Sequence, residues 1–115
     1  ESASYIELTM QALNAFSVTA FKENNTYSVT GNQCYLARKI AVEGDYSNAA
    51  FLDAFNLIEG NVRVKGLREG SLQGDQVYKQ YFARLQEQQP EMDISECPDL
   101  GPILIGMAAA ILSEV

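Results

Sequence analysis

An all-α bundle of about five helices is the fold class this 115-residue sequence predicts. Three observations predict it. Ser4-Tyr5-Ile6-Glu7 and Thr30-Gly31-Asn32-Gln33 both have the capping-box form, in which two otherwise unpaired N–H groups are satisfied reciprocally. Apolar residues recur at spacings of three and four through most of the chain. The stretch Leu100 to Leu112 is apolar around its whole circumference, which places it at the centre of a bundle. With 47% hydrophobic and 20% charged residues the chain supports one core, so 1–115 is expected to be a single helical domain.

The first helix is expected to start at Ser4 and to stack Ile6, Met10, Leu13 and Phe16 on one face. Beyond Phe16 the β-prone segments 16–21 and 26–30 flank Lys22-Glu23-Asn24-Asn25, so a short hairpin competes with a helix continuing to about Phe21; the longer helix is favoured. A second helix is expected from the Thr30–Gln33 box through Cys34, Ala37, Ile40 and Ala41, stopping at Gly44. Ser47 is expected to cap a third, whose stripe of Phe51, Phe55, Ile58 and Val62 ends near Gly66 or Gly70. Gly60 inside it suggests a close helix-helix approach. Asp75 is placed to cap a fourth helix that carries Val77, Tyr78, Tyr81, Phe82 and Leu85 and ends before Pro90. Ser95 or Cys97 can cap the last, with Pro98 in its first turn.

The chain has no histidine, which closes Ser-His-Asp and Cys-His catalysis. Its two cysteines stand 63 residues apart without a nearby imidazole, so no zinc motif is formed. Asp45 and Asp53 lack the alternating ligands of a calcium loop. No cofactor or metal is expected. The net charge of −7 argues against nucleic acid and against an anionic membrane surface, and the longest apolar run is too short to span a bilayer. A basic protein surface is the complementary partner; solubility alone is the plainer account. Glu1 in place of methionine suggests trimming in cloning or maturation by cleavage.

Cys34 and Cys97 are either bridged, which in the chain-entropy model contributes about 4 kcal/mol, or two inert buried thiols of a reducing compartment. Glu87, Glu91, Asp93 and Glu96 around Pro90 could hold the paired acids of a glycosidase, but a polar stretch does not raise a carboxyl pKa. Tyr78, Tyr81 and Phe82 fit an interface patch or the core, with the core preferred for Tyr81.

The order from Thr30-Gly31-Asn32-Gln33-Cys34, through a helix from Phe51 to Gly66, Gly74-Asp75-Gln76-Val77, Tyr81-Phe82 and Pro90-Glu91 to an alanine-rich closing helix resembles the Rap/Tai family of periplasmic immunity proteins. Those proteins protect bacteria against peptidoglycan amidases delivered by type VI secretion. The resemblance implies a periplasmic helical protein with its signal peptide removed, a Cys34–Cys97 disulfide, a homodimer, and inhibition by occlusion of a cognate amidase. The contact is expected at Glu69-Gly70-Ser71-Leu72-Gln73-Gly74-Asp75, which joins acidic groups, a leucine and flexible glycines; an ordinary helix connection is the alternative. Two other functions compete. An acid-stress chaperone would use the swing in charge from −7 to about +8 on acidification. A glycan hydrolase would depend on Glu87 or Glu91.

Overall fold

Residues 3–89 and 91–113 are described by a computed structural model, and they form a mixed α/β unit of four helices and one two-stranded antiparallel sheet. The all-α expectation is corrected in its first half. Helix α1 (Ala3–Ala15) ends where Ser17 turns left-handed at φ 65°, with Val18 N–H bonding back to Leu13 O at 3.0 Å. The chain then enters a hairpin of β1 (Ala20–Glu23) and β2 (Thr26–Val29), with Phe21 opposite Ser28 and Lys22 opposite Tyr27. Asn24 supplies the positive φ of its tight turn, as asparagine does more readily than other non-glycine residues. The hairpin, not the longer helix, is what forms. Ser4 does not cap α1 either: it sits inside the helix and its hydroxyl donates to Glu96 O at 3.3 Å.

No helix forms over 34–41. The Gln33 side chain, expected to reach back in a capping box, instead accepts from Thr19 N–H at 2.7 Å and donates to the carbonyls of Thr19 and Thr30. That clamp fixes the base of the hairpin and sends the chain onward extended, with Leu36 N–H donating to Phe16 O and Tyr35, Leu36, Ile40 and Val42 left exposed.

Asp45, rather than Ser47, caps α2 (Tyr46–Asp53); its carboxylate accepts from Ser47 N–H at 2.9 Å. The helix tightens into a 3-10 turn over Ala54–Ile58 and stops at Glu59, whose φ is 65°. The expected stripe is therefore cut before Val62. Asn56 cuts it: its side chain both accepts from Val62 N–H and donates to Val62 O, holding the returning strand-like segment against the turn. Gly60 follows the helix and closes onto Phe55 O, where an added Cβ would lie 2.3 Å away; the close approach is to its own turn and not to another helix.

A 3-10 turn over Gly74–Val77 leads into α3 (Tyr78–Gln86), and another over Pro98–Leu100 leads into α4 (Gly101–Leu112). The core lies between α2, α3 and the start of α4. Tyr78 stands edge-on to Phe82 with centroids 5.3 Å apart, and Ala49, Ala50 and Leu100 close around them. Small alanines on α2 let it approach the tyrosine ring closely, while the Tyr78 hydroxyl donates to Asp53 Oδ2 at 3.0 Å and so stays satisfied in the interior. The α4 helix is not central: it packs on α3 and the Ala54–Ile58 turn, buries only Gly101 and Leu104, and leaves Ile105 73% exposed.

The whole is elongated, 61 × 31 × 18 Å, with a radius of gyration of 17.7 Å. A compact chain of this length would have about 13 Å. No helix among the described residues is long and apolar enough to cross a membrane. The expectations about Glu1 and about Pro90 as a helix stop fall on residues outside those described.

Candidate functional site

Four separate elements meet at one end of the core, and the Gln73 side chain ties two of them together. Its Nε2 donates to Gly44 O at 2.8 Å and its Oε1 accepts from Tyr46 N–H at 2.9 Å, so the loop 69–75 is fastened to the start of α2. Gln73 N–H in turn donates to the hydroxyl of buried Ser71 at 3.0 Å. Gly74 lies so close to Glu96 O and the Ser4 hydroxyl that a Cβ would sit 2.2 and 2.9 Å from them. That contact brings in the start of α1 and the Pro98–Leu100 turn.

Tyr5, Asp45, Asp75 and Asp99 converge there. The Tyr5 hydroxyl donates to Asp99 Oδ2 at 2.9 Å, and that hydrogen bond, followed by burial and the charges of the surrounding aspartates, pushes its pKa up to about 12. Asp75 is 6% exposed and its Oδ1 has no hydrogen-bond partner. Burial raises its carboxyl above the usual range, and the charges of Asp99 and Asp45 raise it further. A carboxyl so perturbed can take and give a proton nearer to working pH than an ordinary aspartate. The protonated tyrosine and the exposed aspartates Asp45 and Asp99 offer donors and acceptors suited to hydroxyl groups. The charges acting on Asp75 are all negative, so an anionic group would need basic residues from elsewhere.

The predicted residues fare unevenly against this geometry. Of the loop 69–75, Ser71 and Asp75 are buried and Gln73 is spent on backbone, leaving Leu72 as the exposed apolar residue, 41% accessible. Cys34 and Cys97 are both free thiols: Cys34 is exposed on the extended segment, and Cys97 is buried behind the Pro98–Leu100 turn. The acids Glu87, Glu91, Asp93 and Glu96 form no apolar acid pocket. Asp93 is exposed, and Ser95 N–H, donating at 2.9 Å, holds its carboxyl below the usual range. Asp45 and Asp53 serve as a helix cap and as the acceptor for Tyr78 and Asn56, and no cluster of metal-ligating side chains is found among the described residues. Tyr78 and Phe82 are core, and partly buried Tyr81 donates to Asp93 O.

Sequence reasoning missed Tyr5 and Asp99 altogether, since they lie 94 residues apart. It weighed Asp45 only as a calcium ligand. One available signal was the repeated Gly-Asp pair, Gly44-Asp45 and Gly74-Asp75, each just ahead of an aromatic-bearing helix.

The fold and this pole define a mixed α/β unit with an acidic, hydroxyl-bearing cluster at one end of its core. Comparison with known proteins gives the family. The EPSP synthase (3-phosphoshikimate 1-carboxyvinyltransferase) family profile matches residues 1–114, and the chain belongs to that family. It is 35% identical to the 3-phosphoshikimate 1-carboxyvinyltransferase of Clostridium acetobutylicum, over 99% of this chain and 30% of that protein. It is similarly 35% identical to that of Clostridium perfringens strain ATCC 13124, over 99% of this chain and 31% of the relative, and 32% identical to that of Clostridioides difficile, over 99% and 30%. The chain thus spans about a third of the length of the curated relatives it matches. No solved structure matches it.

Family membership overturns the immunity-protein resemblance. The amidase partner goes with it, and the homodimer that the resemblance implied loses its ground. The chaperone and glycan-hydrolase alternatives are overturned by the same finding, as is the reading of the chain as an inhibitor that acts by binding and is not itself an enzyme. Generic helical order, with a proline and an alanine-rich last helix, carried the mistaken likeness.

Proposed function

We propose that this chain forms part of a 3-phosphoshikimate 1-carboxyvinyltransferase and supplies one wall of its active site. The observation that carries this is the 32–35% identity to the three clostridial enzymes of that name along 99% of the chain. The reaction so named moves a 1-carboxyvinyl group onto 3-phosphoshikimate, whose hydroxyls are the natural acceptor atoms. An acceptor hydroxyl must lose its proton as its oxygen bonds to the incoming carbon, and the bond from that carbon to the donor's leaving group breaks, with its electron pair departing on the leaving group. The Tyr5, Asp45, Asp75 and Asp99 pole is suited to orient such hydroxyls and to receive a proton. It is unsuited to the phosphate and carboxylate of the same substrate, whose binding calls for arginine or lysine. Those cations would come from the part of the enzyme that lies outside the matched third.

The test is a chimera in which this chain replaces the matched span of the Clostridium acetobutylicum enzyme. Carboxyvinyl transfer to 3-phosphoshikimate is expected, with kcat falling on the order of a hundredfold in Asp99→Ala, the range seen when a positioned acid-base group is lost. A folded chimera with no transfer, or one indifferent to substitution at Tyr5, Asp75 and Asp99 alike, would remove this site from the enzyme.

A further inference from the structure

Asp45 stands where an extended segment becomes α2, and the peptide groups on either side of it are both held by one side chain. Gln73 Nε2 donates to the carbonyl ahead of it, Gly44 O, and Gln73 Oε1 accepts from the N–H behind it, that of Tyr46. The direction of the Asp45 carboxylate follows from that backbone. Its Oδ1 accepts from Ser47 N–H at 2.9 Å and its Oδ2 from Asn48 Nδ2 at 2.6 Å, both in the first turn of α2. Gly44 is pinned on its other side too, its N–H donating to Gly66 O at 3.2 Å. The clamp is itself braced: Gln73 N–H donates to the Ser71 hydroxyl, and Ser71 O accepts from Gln76 Nε2 at 2.9 Å. Two residues beyond Gln73, Asp75 is buried with Oδ1 unpartnered. One amide side chain thus links the exposed carboxylate of Asp45 to the loop that carries the buried carboxyl of Asp75.

We infer that Gln73 is a positioning residue for carboxyvinyl transfer, fixing the Asp45 carboxylate relative to Asp75 through the two peptides that flank Asp45; the inference rests on the enzyme reading above. Gln73 has no need to touch substrate, because its amide oxygen and nitrogen are both engaged by backbone. A neutral amide suits the task. Glutamate could not donate to Gly44 O and would bring a further negative charge beside Asp45, Asp75 and Asp99, while lysine could not accept from Tyr46 N–H. Misplacing a reacting or orienting group by about 1 Å can cost on the order of a hundredfold in rate. The anionic groups of the substrate are gripped outside this pole, so a loosened clamp should be felt in kcat and not in KM.

Substitutions in the chimera test this. Gln73→Met keeps the bulk of the side chain and removes both hydrogen bonds; kcat should fall on the order of tenfold while KM for 3-phosphoshikimate changes by less than about twofold. Ser71→Ala, the milder variant, frees only the Gln73 N–H and should give a smaller loss of the same kind. Adding Gln73→Met to Asp45→Asn should cost little beyond Asp45→Asn alone, because a residue that acts through another is not additive with it. Asn56→Ala is the control: it cuts a similar clamp of side chain on backbone, at Val62, and should lower Tm while leaving kcat unchanged. An unchanged kcat in Gln73→Met, a fully additive pair, or an equal loss of kcat in Asn56→Ala would each overturn the inference. Hydrogen exchange separates it from the enzyme reading, since the Tyr46 and Ser47 amides should lose protection in Gln73→Met. Amides that exchange at the parent rate would overturn the clamp whether or not transfer occurs. A parent chimera that transfers nothing while those amides still loosen would sink the enzymatic assignment and keep the hold of Gln73 on Asp45.

Discussion

Tyr5 and Asp99 are joined by a 2.9 Å hydrogen bond across 94 residues of sequence, binding the start of α1 to the turn that launches α4. No residue of α1 is buried, and the helix is held besides by Ser4, which donates to Glu96 O, and by Arg38, which donates to Ala15 O. The pair therefore serves both the fold and the acidic pole.

The tyrosine should titrate late. Its pKa, pushed up to about 12 chiefly by the Asp99 bond, should fall back toward the ordinary value of roughly 10 in Asp99→Asn. A phenol whose folded pKa is raised contributes stability that is complete below its unfolded pKa and is lost as pH climbs through the folded one. Stability that depends on Tyr5 should thus vanish between about pH 10 and pH 12. Tyrosinate absorbance in the two proteins checks the shift, and identical curves would dissolve the link.

Asp75 should destabilise the chain at neutral pH. Its carboxyl is raised by burial and then by Asp99 and Asp45, so the fold favours the protonated form; the stability this represents is present below the unfolded pKa and lost as pH rises through the folded one. Asp75→Asn removes the charge at nearly constant shape and should stabilise the chain by about 1 kcal/mol at neutral pH, with little effect in acid. Urea midpoints at the two pH values measure it. A variant less stable than the parent at neutral pH would mean that Oδ1 is satisfied after all.

Gly74→Ala should be costly. The added Cβ meets the backbone oxygen of Glu96 at 2.2 Å, a group that cannot rotate away. A loss of about 1–3 kcal/mol is expected from the forced backbone shift. Gly31→Ala, where nothing lies within 4 Å, is the control. Equal denaturation midpoints for the two would show that the loop does not press on the Glu96 segment.

Thiol reagents should distinguish the cysteines. Cys34 is exposed and should react at once, while Cys97, 2% exposed and with its thiol pushed up by burial, should react only on unfolding. Two slow thiols, or none under non-reducing conditions, would contradict the free, unequal pair.

Parts of this fold were legible in the sequence because they are local. The helix carrying Tyr78 and Phe82 follows from apolar spacing and the last from a proline-led start to an apolar run, while the β-prone runs about a polar turn offered the hairpin only as the less favoured competitor of a longer helix. The helix expected over 34–41 was not formed, because Gln33 found Thr19 and Thr30 instead of its own helix start. A capping box states which hydrogen bonds are possible locally; it does not know of a better partner fourteen residues earlier. The apolar circumference of α4 was read as the centre of a bundle, whereas the helix lies to one side of the core, burying only Gly101 and Leu104 and leaving Ile105 73% exposed.

The sequence by itself determined the acidity, the absence of histidine, the positions of the turns that need glycine or asparagine, and which helices have an apolar side. Each depends on residues a few positions apart. Only the tertiary structure decided that Tyr5, Asp45, Asp75 and Asp99 form one pole, since a carboxyl is raised by burial and by charges that the chain brings close from distant positions.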